Sequence, residues 1–185
     1  MKYTLILLSL FLVACSHSSP KATVVIPEKP IDTFKYAILK FDTIRDSSYF
    51  KTGSKLAQLS ASEIDKIENI IAKKATEYNK HEKAFWDSID RKFHRKEPAN
   101  AIPFYNFINH PESYFKQFVA VVNAKGQKEV YVNCFCEDFY KESGNIKSYW
   151  RKEFVIVCDG GSCFFTIKIN LTTNTVLLFG VNGVA

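Results

Sequence analysis

The sequence has little glycine or proline and lacks the short motifs of several common enzyme classes. Its 185 residues include 7 glycines and 6 prolines, which excludes a collagen-like or low-complexity chain. It contains no Gly-x-Ser-x-Gly nucleophile motif, no His-Glu-x-x-His metal motif and no glycine-rich phosphate loop. The four histidines are scattered: His17, His81, His94 and His110. We therefore predict no catalytic residue, no metal site and no cofactor.

Hydrophobic runs long enough to cross a membrane are also missing. The apolar run at residues 4–13 spans about ten residues, half of the roughly twenty that a membrane-spanning helix needs. Hydrophobic residues still make up 46% of the chain and charged residues 24%. A chain of this length buries roughly two thirds of its unfolded surface when it folds. We expect one globular domain at residues 34–185.

The first residues have the pattern of an export signal. Lys2 precedes the apolar run at residues 4–13, as in a secretory signal peptide. The run ends in Leu-Val-Ala-Cys at residues 12–15, which resembles the lipobox of bacterial lipoproteins at all four positions. The resemblance implies cleavage after the leader, residues 1–14, a diacylglyceryl group on the Cys15 sulfur and an acyl chain on its new amine. The alternative is a plain signal peptide with an unrelated cysteine.

The segment that follows the leader has the composition of a tether. Residues 15–33 are polar and contain proline, which is typical of a spacer between an anchor and a domain. Two or more acyl chains anchor a protein stably, whereas one does so only marginally. Ser16 after the cysteine resembles lipoproteins that pass to the outer membrane. We expect the membrane as a partner, a location in the cell envelope facing the periplasm, and no nucleic-acid partner despite a net charge of +6.

The middle of the chain predicts one strand and one long helix. Residues 34–42 are a strand candidate, with Tyr36 and Ile38 on one side and Ala37, Leu39 and Phe41 on the other. A capping box at residues 60–63 precedes an apolar stripe at helical spacing, so we predict a helix over residues 61–81. A second, shorter helix is expected around residues 85–93.

The last third of the chain predicts a series of strands. Turn residues separate candidate strands at 115–123 and 128–136, at 152–158 and 163–170, and a final strand at 175–181. Since short connections join antiparallel strands, we expect an α+β fold in which one long helix packs on a curved antiparallel sheet of about five strands. The order of strand, helix and strands resembles the cystatin-like fold, which by itself implies no activity.

Cystatin-type protease inhibitors insert a hairpin loop with the motif Gln-x-Val-x-Gly. Residues 117–121 have the glutamine and the valine but lack the final glycine, and they fall inside a predicted strand. The motif is therefore incomplete and misplaced for inhibition.

Four cysteines follow Cys15, and export would place them where disulfides persist. Cys158 and Cys163 flank a predicted four-residue turn, so we expect a disulfide between them across the hairpin. Cys134 and Cys136 lie two apart on one predicted strand, which is poor geometry for bonding to each other. They are candidates for buried thiols or for a soft metal such as Cu(I). Cross-pairing between the two groups stays open if the strand order departs from a meander.

Three functions fit these patterns. The first is a lipid-anchored, non-catalytic binding or structural module of the envelope. The second is an envelope thiol or soft-metal-binding protein that uses Cys134 and Cys136. The third is an inhibitor of an envelope hydrolase.

Overall fold

The computed structural model describes residue 31, residues 34–93 and residues 106–183. The leader, Cys15 and most of the predicted tether lie outside these residues. The elements in chain order are β1 (Tyr36–Ile38), β2 (Lys55–Leu56), α1 (Ala61–Phe93), β3 (Phe115–Val122), β4 (Lys128–Phe135), α2 (Glu137–Glu142), α3 (Ile146–Tyr149), β5 (Phe164–Asn170) and β6 (Thr175–Val181). One long helix packs on one sheet, so the predicted α+β class is confirmed.

The sequence predicted a purely antiparallel sheet, but the sheet is mixed. Its strand order is β1-β3-β4-β5-β6, and β2 also pairs with β3. Strands β3 to β6 are antiparallel neighbours, but β1 runs parallel to β3. The reason is the connection: α1 lies between β1 and β3 in the chain, and a helical crossover returns the chain to the same end of the sheet.

Helix α1 is a single helix of 33 residues, where the sequence predicted two. It begins at the predicted capping box. Ser60 Oγ accepts the Glu63 N–H at 3.2 Å, and the Glu63 carboxylate accepts the Ser60 N–H at 2.9 Å. The helix continues past residue 81 because no glycine or proline interrupts it, and the ion pair of Lys83 with Asp87, at 2.8 Å and i,i+4 spacing, supports the added turns.

Both faces of the sheet are covered. The helix-side core packs α1 on one face, while α2, α3 and the loop after β1 cover the opposite face. The helix-side core includes Ile64, Ile67, Ile71, Phe118, Val132, Phe165 and Ile167. The opposite core includes Phe50, Phe115, Val119, Tyr131, Phe135, Ile146 and Trp150. Burial on two faces explains why β3 is apolar along most of its length rather than alternating.

The predicted strand at residues 152–158 is wrong, and so is the hairpin that it would form with β5. Strand β5 pairs with β4 and β6 instead. After α3 the chain crosses the opposite face of the sheet, where the Gln117 carboxamide accepts the Val155 N–H at 2.9 Å and donates to the Glu153 carbonyl at 2.6 Å. Asn133 donates to the Val155 carbonyl at 2.8 Å. These side chains supply the hydrogen bonds that a neighbouring strand would otherwise supply.

Within the residues described, no helix is both long and apolar enough to cross a membrane. Helix α1 has the length but carries charged residues throughout.

Candidate functional site

A disulfide joins Cys136, at the start of α2, to Cys163, just before β5. The Cα atoms of the two residues are 4.8 Å apart, and the Cys136 N–H donates to the Cys163 carbonyl at 2.8 Å. The predicted bond between Cys158 and Cys163 is therefore wrong. The register of the sheet gives the reason: Phe135 of β4 pairs with Phe164 of β5, so the next residue on each side faces the other.

The two remaining cysteines have opposite environments. Cys158 is exposed, and Cys134 is fully buried on β4. Burial raises the pKa of the Cys134 thiol, so the nucleophilic thiolate is disfavoured. Cys134 and Cys136 are not a free pair, because Cys136 is bonded to Cys163. No cluster of three or more His, Cys, Asp or Glu side chains in the described parts of the chain has the placement of a metal site.

A buried lysine lies beside Cys134 on the helix side of the sheet. The Lys116 ammonium is 3.2 Å from Glu68 Oε1 of α1 and donates to the carbonyls of Pro111 and Tyr114 at 2.8 and 3.2 Å. Burial raises the pKa of Glu68, and the nearby Lys116 charge opposes that rise. Lys116 and Cys134 are both 0% exposed, so no substrate reaches them. The cluster holds α1 and the turn before β3 against the sheet.

A small pocket opens on the opposite face of the sheet, with a volume of about 170 Å³. Its lining is aromatic, aliphatic and polar: Tyr49, Tyr131, Asn133, Phe154, Val155, Ile156, Val157, Phe164, Thr166 and Asn182. The Tyr49 and Tyr131 rings stack with their centroids 4.0 Å apart, and Phe154 meets the edge of each at 5.7 Å. The pocket lies below the range of about 300–1,000 Å³ that is usual for small-molecule sites, so it suits one ring or one short side chain.

The loops that form this pocket are held by side-chain amides. Asn182, just after β6, donates from Nδ2 to the carbonyls of Val157 and Asp159 at 2.6 and 3.0 Å. Asn133 donates to Gln117 at 2.9 Å from the floor of the sheet. The lining offers ring faces and amide groups, and it contains no histidine, cysteine, serine or carboxylate.

No pocket was predicted on this face from the sequence, although the strands contain a signal for it. Gln117, Asn133 and Thr166 interrupt three apolar strands, and they are direct partners across β3, β4 and β5. A row of polar residues through a buried sheet indicates that something polar packs on that face. Aligning the three strands would have required the β4–β5 pairing, which the predicted hairpin at residues 152–158 obscured.

The residues singled out in the sequence do not meet in one site. Cys15 lies outside the described residues. Gln117, the first residue of the incomplete inhibitor motif, is 0% exposed inside β3, so it does not form an inhibitory loop. No family model, characterised protein or solved structure matches this chain.

Proposed function

We propose that this protein is a lipid-anchored protein of the cell envelope that faces the periplasm from the outer membrane and acts as a non-catalytic binding or structural module. The observation that carries the proposal is the Leu-Val-Ala-Cys sequence ending at Cys15. The disulfide between Cys136 and Cys163 supports export independently, because disulfides persist in oxidising compartments and are rare in the cytosol.

The start of the described chain fits an anchored domain. Ile31 packs against the helix-side core and lies 16 positions after Cys15. A chain of that length reaches at most about 55 Å when it is fully extended. An anchor at Cys15 would therefore keep the start of the domain within about 55 Å of the bilayer.

The pocket supports binding rather than bond-making. The Tyr49 and Phe154 rings line the pocket and can contact a bound ring. Asn133 and Asn182 donate both of their Nδ2 hydrogens within the protein, so their side-chain oxygens are the amide atoms that can accept a hydrogen bond from a ligand. The partner that fits is a protruding ring or short side chain of an envelope component.

Acylation is tested by growing cells with radiolabelled palmitate and measuring the intact mass of the purified protein. We expect label and a mass that matches loss of residues 1–14 plus a diacylglyceryl group and an acyl chain. The Cys15→Ser variant is expected to take up no label and to lack the added mass of the diacylglyceryl group and the acyl chain. The Cys158→Ser variant is the matched control, because it removes an exposed thiol of the described domain and should keep the label. An unlabelled wild-type protein, or label lost only in Cys158→Ser, would contradict the proposal.

A further inference from the structure

Strand β6 forms one side edge of the sheet. Among the described strands it pairs only with β5. The Asn182 N–H donates to the Phe164 carbonyl at 2.9 Å, and antiparallel strands alternate between residues that face the partner and residues that face away. Phe179 and Val181 therefore turn their backbone N–H and C=O groups toward the outer edge.

This edge is apolar and exposed. The strand contains no charged residue and no proline from Thr175 to Val181. Val176, Leu177 and Leu178 expose 37%, 48% and 50% of their surface. Proteins commonly protect open edges with charges, proline or very short strands, and β6 has seven residues. A bulge can also protect an edge, and the one feature of that kind in β6 is a register shift opposite Lys168.

The opposite edge of the sheet is protected. Strands β1 and β2, which share it, have three and two residues. The Arg151 guanidinium donates to the carbonyls of Phe34 and Tyr36 at 3.2 and 3.3 Å. A long guanidinium across these carbonyls blocks an incoming strand. The two edges of this sheet are therefore unequal, and only β6 presents a template for pairing.

We propose that β6 pairs antiparallel with β6 of a second copy of this chain, which joins two sheets into one. Since the strand is uncharged, two copies place no like charges opposite each other. The same strand serves on both sides, so the contact is closed by a two-fold axis, and the protected β1 edge prevents growth beyond a dimer.

The two-fold axis of such a pairing is perpendicular to the sheet, so α1 of both copies lies on the same face. Ile31, where the described chain begins, packs against that face as well. The chains that precede Ile31 in both copies therefore leave from one side of the joined sheet, as two anchors in one bilayer require. This agreement with a common bilayer is the one part of the inference that rests on the proposed function. A pairing of seven-residue strands is small beside the roughly 1,600 Å² of a standard interface, so we expect a concentration-dependent dimer that confinement to a membrane favours.

The first test is sedimentation velocity of the full-length protein in detergent over a range of concentrations. We expect reversible dimers. Leu177→Lys places two charges at the contact, and Val181→Pro removes an N–H that faces outward and not toward β5. Each variant should weaken association about tenfold or more, which corresponds to 1.4 kcal/mol. Ile44→Lys is the matched control, because Ile44 is 86% exposed and lies in the loop after β1. A monomeric wild-type protein, or equal weakening by Ile44→Lys, would overturn the pairing.

The second test places a cysteine near the two-fold axis. Leu178 is close to the centre of β6, so Leu178→Cys in a Cys158→Ser background should form an intermolecular disulfide rapidly on mild oxidation. Ile44→Cys in the same background controls for random collision. Equal cross-linking of the two variants would refute the arrangement even if dimers form. The intact mass reports acylation of Cys15 separately, so a failed anchor and a failed dimer give different results.

Discussion

The disulfide between Cys136 and Cys163 should contribute strongly to stability, because it closes a long loop. Its sequence separation is 27 residues. The chain-entropy relation for a loop of that size gives about 12 cal/mol/K, or about 3.6 kcal/mol at 25 °C. A bond between Cys158 and Cys163 would close only five residues and contribute about 2 kcal/mol. Replacing both Cys136 and Cys163 with alanine should therefore lower the free energy of unfolding by about 3.6 kcal/mol.

The measurement is urea unfolding of the oxidised protein, with the midpoint and slope compared among variants. Cys158→Ala should leave the free energy of unfolding within about 0.5 kcal/mol of wild type, because its thiol is exposed and outside the bond. Reduction of wild type should reproduce the loss seen in the double variant. A loss of about 2 kcal/mol in Cys158→Ala, or a double variant as stable as wild type, would refute the pairing and the loop argument together.

Three further changes test the core, the opposite face and the surface charges. Ile67 is 0% exposed between α1 and the sheet, so Ile67→Ala should cost about 2–5 kcal/mol in urea unfolding. Gln117→Leu leaves the Val155 N–H without its acceptor, so we expect a loss of about 1–3 kcal/mol and faster hydrogen exchange over residues 150–157. Burial pushes the pKa of Glu129 upward, but the hydrogen bonds from Lys168 and Asn123, together with the Lys168 charge, outweigh burial and leave the pKa below 4.5. At pH values near the folded pKa the folded state then binds fewer protons than the unfolded state. The stabilisation that ionised Glu129 contributes is therefore present above pH 4.5 and is lost as pH falls through the folded pKa. The melting temperature of Glu129→Gln should fall less than that of wild type over that pH range.

The sequence was most informative where one local rule determined the structure. The capping box at Ser60 and Glu63 marks the start of α1, because its hydrogen bonds connect residues three apart. Strands β3, β4 and β6 begin within a residue of their predicted positions. Gly126 marks the turn between β3 and β4, and a second turn before Thr175 marks the start of β6. The end of α1 was missed because a helix without glycine or proline carries no local stop signal, and its last turns expose apolar side chains such as Phe85 and Phe93, so the apolar stripe does not continue to the end of the helix.

The two errors in the last third of the chain, the strand at residues 152–158 and the disulfide, share one physical cause: local periodicity does not specify which distant segments pair. Residues 154–158 form a short apolar run typical of a buried strand, but the backbone of this segment is bonded by the side chains of Gln117 and Asn133 rather than by a neighbouring strand. The disulfide prediction was wrong for the same reason, because the misplaced strand at residues 152–158 put Cys158 opposite Cys163. Once β5 is paired with β4, Cys163 is brought to Cys136, and Cys158 is left at the surface.

Two adjacent residues of β3 show what the covered sheet leaves for function. Lys116 and Gln117 point to opposite faces, yet both are 0% exposed. Backbone carbonyls accept the hydrogen bonds that both side chains donate. The carbonyls that bind Lys116 lie in the turn before β3, and the carbonyl that binds Gln117 lies in the chain after α3. Away from this covered part of β3, the small pocket beside Asn133 and the open edge of β6 are two places where another molecule can make directional contacts. A partner that pairs with β6 needs only an extended backbone, and a second copy of the same neutral strand meets that requirement.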